Sequence, residues 1–237
     1  MKAVDNIRFL EVNRQSNLRF EDLDISIFED PAGTFSADTA LVESIIAEIT
    51  AFTAKSFGGE LDEDSNDGTY RHVVNNSRLV VIHSDSEILG FAGEKTLAVE
   101  EVMYLHGVAV SNRAKSRGVG RKLVETLLVC SEKPLIGFTT QSPIMFCVAR
   151  DLLNRSINPR PGRELVSPEL AHIGLRLMEG RSGVFDPDRF VAQDLYGECL
   201  YPQIPRSNDP LVNTWFDDSL RVVDGVTRDG FLFIGEV

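Results

Sequence analysis

The sequence predicts an α/β fold in which a β-meander feeds a basic glycine turn and a helix. Three adjacent stretches carry this reading. Residues 104–110 are mostly apolar and end in Val-Ala-Val, as a buried strand should. Residues 111–117 are polar and carry three positive charges, Arg113, Lys115 and Arg117. Gly118 and Gly120 then open an amphipathic run with Val119, Leu123, Val124, Leu127 and Leu128 on one face. A helix that begins this way offers bare backbone N–H groups and the positive end of the macrodipole. With the flanking basic side chains, it is a receptor for phosphate.

The remaining elements follow in order. Residues 1–20 are polar and weakly patterned, an arm or an extra edge strand. Residues 23–28 alternate apolar and polar, a strand that Pro31 and Gly33 end. Ser36 is read as the cap of a helix to about Phe57, with Val42, Ile45, Ile46, Ile49 and Phe52 on one face. Gly58 and Gly59 stop it. Residues 60–68 form an acidic loop, mobile or able to close over a cleft. Residues 69–76 read as a short helix, 78–82 as a strand, and 84–87 as a hairpin turn. Residues 88–99 are the next strand, containing Gly90, Gly93 and Glu94, and 102–110 the one after it. The glycine-turn helix runs to about Glu132, and a further strand covers 135–140. Ser142 caps a helix that Pro143 starts and that ends near residue 153. Residues 154–218 are irregular and proline-rich, with helices expected from Ser167-Pro168 to Gly180 and from Pro210 through Phe216. The segment is longer than an ordinary connection. Residues 220–226 and 231–237 read as a C-terminal hairpin around 227–230.

Composition bounds the function. The net charge is −12. It is uneven: residues 1–70 hold 15 acids and 5 bases, residues 111–165 hold 10 bases and 4 acids. The acidic total argues against non-specific nucleic-acid binding. The basic excess falls on the glycine turn and suits a polyanionic small ligand. No apolar run reaches the length of a membrane span, and the N-terminus lacks the apolar core of a signal peptide. Cys130, Cys147 and Cys199 are odd in number and scattered. These features lead to the expectation of a reduced, cytoplasmic protein without a metal site.

The segment Lys115-Ser116-Arg117-Gly118-Val119-Gly120 resembles the pyrophosphate loop of the GNAT (GCN5-related) N-acetyltransferases. The apolar-Ala-Val run before that loop is supplied by Gly107-Val108-Ala109-Val110. Lys115 stands where the family usually has Arg or Gln, keeping the charge without the planar fork. The order of elements is also similar to the family's. The resemblance implies a central twisted mixed sheet flanked by helices, in one domain over 1–237. Its core would be about 20–153 and 218–237, with an insertion or lid at 154–217 capping the acceptor side. Packing or an oligomer contact is the other reading of that insertion. The resemblance further implies acetyl-CoA as acyl donor, a small-molecule amine as acceptor, and a homodimer as a common assembly. Cofactor contacts would come from Val108, Ala109 and Val110, then from Lys115, Ser116, Arg117, Gly118, Val119, Gly120 and Arg121.

Acyl transfer to an amine needs the amine deprotonated, the thioester oxygen polarised and the thiolate reprotonated. His106 is the first candidate base, because its ordinary pKa suits proton transfer near neutrality. It also matches the place of a catalytic-type histidine in arylalkylamine acetyltransferases. Tyr104 stands where histone-acetylating members have a glutamate; it would orient the acceptor, hold a water or pack. Glu94 and Glu101 are alternative bases. The family's usual general acid, a tyrosine on the helix after residue 142, is missing: Phe146, Cys147 and Val148 occupy that helix. Tyr196, Tyr201 or water would have to substitute.

The leading function is thus acetyl-CoA-dependent N-acetylation of a small primary amine. The acidic N-terminal third hints at a cationic acceptor. Two alternatives stay open: an N-acyltransferase using longer acyl-CoA or acyl-carrier protein, and a non-catalytic acyl-CoA-binding module.

Overall fold

The computed structural model describes residues 2–36, 38–58, 65–162, 165–197 and 199–237. The glycine-containing acidic loop expected at 60–68 lies outside these residues except for its last four. The chain divides into two compact units, 1–96 with 105–132, and 97–104 with 133–237.

The first unit begins with helix α1 (Lys2–Asn13) and strands β1 (Ser16–Phe20) and β2 (Leu23–Glu29). Of the arm or extra edge strand expected at 1–20, β1 is an edge strand of the sheet, and α1 stands where the arm was expected. Ile7 and Leu10 of α1 are buried in the same cluster as Ile45, Ile46 and Ile49, and such packing makes a helix where local signals are weak. A one-turn helix α2 (Pro31–Phe35) leads to α3 (Thr39–Phe57). The cap of α3 is not Ser36, which follows α2 and bonds back to the Gly33 carbonyl at 2.7 Å. Asp38 is the cap, its carboxylate accepting from the Leu41 N–H at 3.1 Å. Gly58 ends α3 in the left-handed conformation.

Next come α4 (Ser65–Val73), β3 (Arg78–His83), β4 (Ile88–Lys95) and β5 (Val102–Val110). The short helix therefore lies a few residues earlier than residues 69–76. Strands β1, β2, β3 and β4 pair antiparallel in sequence order, and β5 follows β4. Leu79, Val81 and Phe91 pack with α3. On the other face, a Cβ at Gly90 would lie 3.1 Å from Leu123 and 3.4 Å from Val119. Both of those residues belong to α5 (Val119–Cys130). The sheet is thus covered on both faces, which is why β3 is a continuous apolar run rather than an alternating one.

His83, at the end of β3, is buried. In the neutral ring both nitrogens are satisfied: Nδ1–H donates to the Ser84 carbonyl at 3.2 Å, and Nε2 accepts from the Ser26 hydroxyl at 2.9 Å. Burial pushes its pKa below the ordinary histidine value, opposed by the Ser84 carbonyl and by the charges of Asp24 and Glu11. The unfolded chain protonates this histidine near pH 6.5; the folded chain does so only at lower pH. Stability is therefore full above that value and falls as pH drops toward the folded pKa. Urea unfolding from pH 7.5 to pH 5 is expected to show this loss, and His83→Gln to flatten it.

The second unit takes the start of β5 and adds β6 (Leu135–Thr140) in parallel, through Val102–Leu135, Met103–Ile136 and Tyr104–Gly137. Helix α6 (Pro143–Leu152) follows, with the Ser142 hydroxyl accepting from the Met145 N–H at 3.3 Å. The stretch expected to be irregular contains β7 (Ile157–Asn158), α7 (Pro168–Met178), β8 (Val184–Asp186), β9 (Val191–Gln193) and α8 (Pro210–Ser219). The chain ends in β10 (Gly230–Glu236), antiparallel to β6, β7 and β9.

The expected C-terminal hairpin is corrected here. Residues 220–226 do not form a strand, because Arg221, Asp224 and Gly225 all have positive φ. Val223 and Val226 make only an isolated bridge. The sheet is mixed, with β5–β6 as its parallel pair. Phe146, Trp215, Phe216, Phe231 and Phe233 stack as one aromatic cluster under α6, α8 and β10.

Candidate active site

The glycine turn expected to receive phosphate lies wholly in the first unit. β5 runs into a 3-10 turn (Asn112–Ala114) that the Ser111 hydroxyl caps. Ser116 and Gly118 then both adopt left-handed backbone, with φ 66° and 78°. This winds successive amides around one concavity. Gly118 is the cap of α5 and makes no side-chain cap bond. The first intrahelical bond runs from Lys122 N–H to the Gly118 carbonyl at 2.9 Å, so the amides of Val119, Gly120 and Arg121 point out of the helix end.

The side chains around the turn divide. Arg117 pairs with Asp22 at 2.8 Å, and Arg113 with Glu87 at 2.9 Å. Lys122 pairs with Glu125 and lies 5.9 Å over the Phe20 ring. Lys115 and Arg121 are exposed and hold no ion pair among the described residues. A Cβ at Gly120 would stand 3.4 Å from Val110, and one at Gly118 would be 3.6 Å from Phe20 in a conformation side chains rarely adopt. The bare cradle, the amides and two uncommitted cations fit a pyrophosphate.

His106 is half-buried on β5, and two residues that sequence reasoning missed hold it. The Asn76 amide group donates to the His72 and Val73 carbonyls at 2.7 and 3.3 Å, at the end of α4. Its oxygen is thereby turned toward His106 Nδ1, at 3.0 Å. An oxygen acceptor there requires a proton on Nδ1, so Nε2 is the basic nitrogen of the neutral ring. The His72 ring lies 4.4 Å from the His106 ring.

Two strand glycines make room for this group. A Cβ at Gly93 would collide with the Asn76 amide group, and one at Gly107 would sit 3.2 Å from His72 Nδ1. Glycines inside strands signal a close approach, and that was the available clue to Asn76 and His72.

The other candidates sit differently. Glu94 is 7% exposed and bonds Arg78 at 2.6 Å, in a network that Arg78 extends to Glu29. That geometry is a pair of ion pairs across the ends of the β2–β3 and β3–β4 ladders. Tyr104, in the second unit, is 1% exposed with its hydroxyl on Thr139 at 3.1 Å. The ladder of β5 with β6 ends at this residue. Tyr196 and Tyr201 are held as neutral hydroxyls by burial, Tyr201 being pushed up to about 12. Cys147 on α6 is also pushed up by burial. Among the described residues no cluster of histidine, cysteine or carboxylate side chains is placed to hold a metal, and no helix is long and apolar enough to cross a membrane.

Residues 44–138 match the family model described as Acetyltransferase (GNAT) family. Acetyl-CoA is the acyl donor of that family. No curated protein matches the chain. Among solved structures, the chain is similar to an IAA acetyltransferase from Bacillus cereus, at 11% identity and TM-score 0.47 over 91% of this chain and 99% of that one. It is also similar to the ribosomal-protein-S5-alanine acetyltransferase of Vibrio fischeri, at 10% identity and TM-score 0.46 over 94% and 97%. A Pyrococcus horikoshii protein matches at 12% identity and TM-score 0.44 over 58% of this chain, and the chain spans 45% of that protein's length.

Proposed function

We propose that this chain, which carries a GNAT acetyltransferase domain, transfers an acetyl group from acetyl-CoA to the primary amine of a small molecule. The observation that carries the reading is the α5 N-terminus, where Gly118 leaves the helix end without a side-chain cap. Its free amides and dipole, with the exposed Lys115 and Arg121 close by in the chain, suit a pyrophosphate.

When bound, acetyl-CoA supplies the activated thioester. The amides of Val108, Ala109 and Val110, past the end of the β5–β6 ladder, are the donors proposed for its oxygen. His106 Nε2 takes the proton from the incoming ammonium, with Asn76 holding the ring in the required tautomer. As the carbon–nitrogen bond forms and the carbon–sulfur bond breaks, the nitrogen releases its second proton to solvent, and the departing thiolate takes a proton from solvent. Thiolates are stable enough leaving groups for this, and α6 carries no tyrosine.

The test is calorimetric titration of the purified chain with acetyl-CoA, CoA and palmitoyl-CoA, followed by thiol release with a panel of primary amines. Micromolar binding of acetyl-CoA together with amine-dependent thiol release is expected. Preference for palmitoyl-CoA would move the reading to a long-chain acyltransferase. Binding without turnover on any amine would leave an acyl-CoA-binding module, and no binding at all would end the assignment.

A further inference from the structure

The tip of the β1–β2 hairpin lies against the glycine turn, within the same unit. Phe20 and Leu23 are the last pair of the ladder, so Glu21 and Asp22 form a two-residue loop. Glu21 takes left-handed backbone at φ 57°, a conformation that such loops usually give to glycine or asparagine. Here the loop carries two acids. A Cβ at Gly118 would lie 3.6 Å from the Phe20 ring, and the Lys122 ammonium is 5.9 Å from the centre of that ring. Asp22 Oδ1 accepts from Arg117 Nη2 at 2.8 Å.

Arg117 stands between Ser116 and Gly118, the two left-handed residues that wind the amides around the concavity. A guanidinium anchored at that point would serve an anion held by the amides, yet it is taken by a carboxylate. The bond that takes it is exposed: the Arg117 and Asp22 side chains are 37% and 75% accessible. Exposed pairs of this kind are weak and screened by salt. A phosphate offers the guanidinium two parallel charge-assisted bonds. It also brings like charge toward Asp22. Leu23 is buried and Phe20 packs on the turn, so the hairpin backbone is fixed and the Asp22 side chain is the part that can turn away.

We propose that Asp22 and the pyrophosphate of the acyl donor compete for Arg117, an inference that rests on the acyl-CoA reading of the turn. Anion binding breaks the Asp22–Arg117 bond, Arg117 moves onto a phosphate oxygen, and the Asp22 carboxylate is released to water. When CoA departs, Asp22 takes Arg117 back. The aspartate therefore lowers the affinity of the turn and eases release of the product, because CoA carries the same pyrophosphate as acetyl-CoA.

A double-mutant cycle tests the competition. Calorimetry gives the affinity for acetyl-CoA and for CoA on the wild type, Asp22→Asn, Arg117→Gln and the double variant, with melting temperatures to confirm folding. Asp22→Asn is expected to tighten both ligands about 5-fold, and Arg117→Gln to weaken them about 3-fold. In the Arg117→Gln background the gain from Asp22→Asn should fall below about twofold, because no guanidinium is left to release. Equal gains in both backgrounds would make Asp22 a source of plain repulsion and overturn the proposal. Weaker or unchanged binding by Asp22→Asn would overturn it as well, the first by showing that Asp22 positions Arg117 for the ligand. If the wild type binds neither acetyl-CoA nor CoA, the acyl-CoA reading fails separately. Inorganic pyrophosphate followed by phosphorus-31 NMR then decides the competition: the same pattern across the cycle supports it, and no binding to the wild type or to Asp22→Asn overturns it.

Discussion

Replacing Gly118 and Gly120 together by glutamate is expected to weaken acetyl-CoA binding by more than about 100-fold. Two causes act in the same direction. Gly118 has φ 78°, where a side chain costs about 1–2 kcal/mol, so the new residue either strains the turn or moves the α5 amides off their common centre. A Cβ at Gly120 would already touch Val110 at 3.4 Å, which leaves a longer side chain only the open side of the turn. Beyond the sterics, two carboxylates would occupy the positive end of the helix where the pyrophosphate charge is proposed to sit. Titration calorimetry reads the affinity, and circular dichroism confirms that the variant folds. A folded variant that binds acetyl-CoA as the wild type does would show that this turn is not the binding site.

His106→Ala is expected to lower kcat about 100-fold while leaving the affinity for acetyl-CoA unchanged. The separation arises because His106 is proposed to act on the amine proton, whereas the phosphate cradle begins nine residues later in the chain. Asn76→Ala should give a smaller loss. It removes the acceptor on Nδ1 at 3.0 Å and frees the ring to change tautomer. Nitrogen-15 chemical shifts of His106 should report an Nδ1-protonated ring in the wild type and a tautomer mixture in Asn76→Ala. Unchanged turnover in His106→Ala would remove it as the base, and Glu101 would then be the next residue to test.

The parts of this protein legible in sequence are those whose causes act within a few residues. The apolar strand β5, the two glycines opening α5 and the Ser142-Pro143 start of α6 each depend on local backbone preference, capping or periodicity. The mixed α/β class and the glycine turn follow from them. Where long-range packing competes with local signals, the reading failed. Helix α1 is polar enough to pass for an arm, but Ile7 and Leu10 bury against the residues of α3. The 220–226 stretch is apolar enough to be a strand, but left-handed residues fold it into a turn, and Arg221 reaches forward to the buried Asp229 at 2.6 Å.

The candidate site divides in the same way. Gly118 and Gly120 announce themselves, and His106 stands out by residue type. Its tautomer is decided by Asn76, thirty residues earlier in the chain, and room for Asn76 is decided by the absence of a side chain at Gly93. Likewise Tyr104 was visible as an anomaly, but its partner Arg181 lies on a distant turn. The sequence by itself determined the glycine turn and the open N-terminus of α5, because a helix end needs only its own first turn. The tertiary structure decided which nitrogen of His106 is basic and that the Arg181 guanidinium lies over the Tyr104 ring, because both depend on groups far apart in sequence that meet only when the chain is folded.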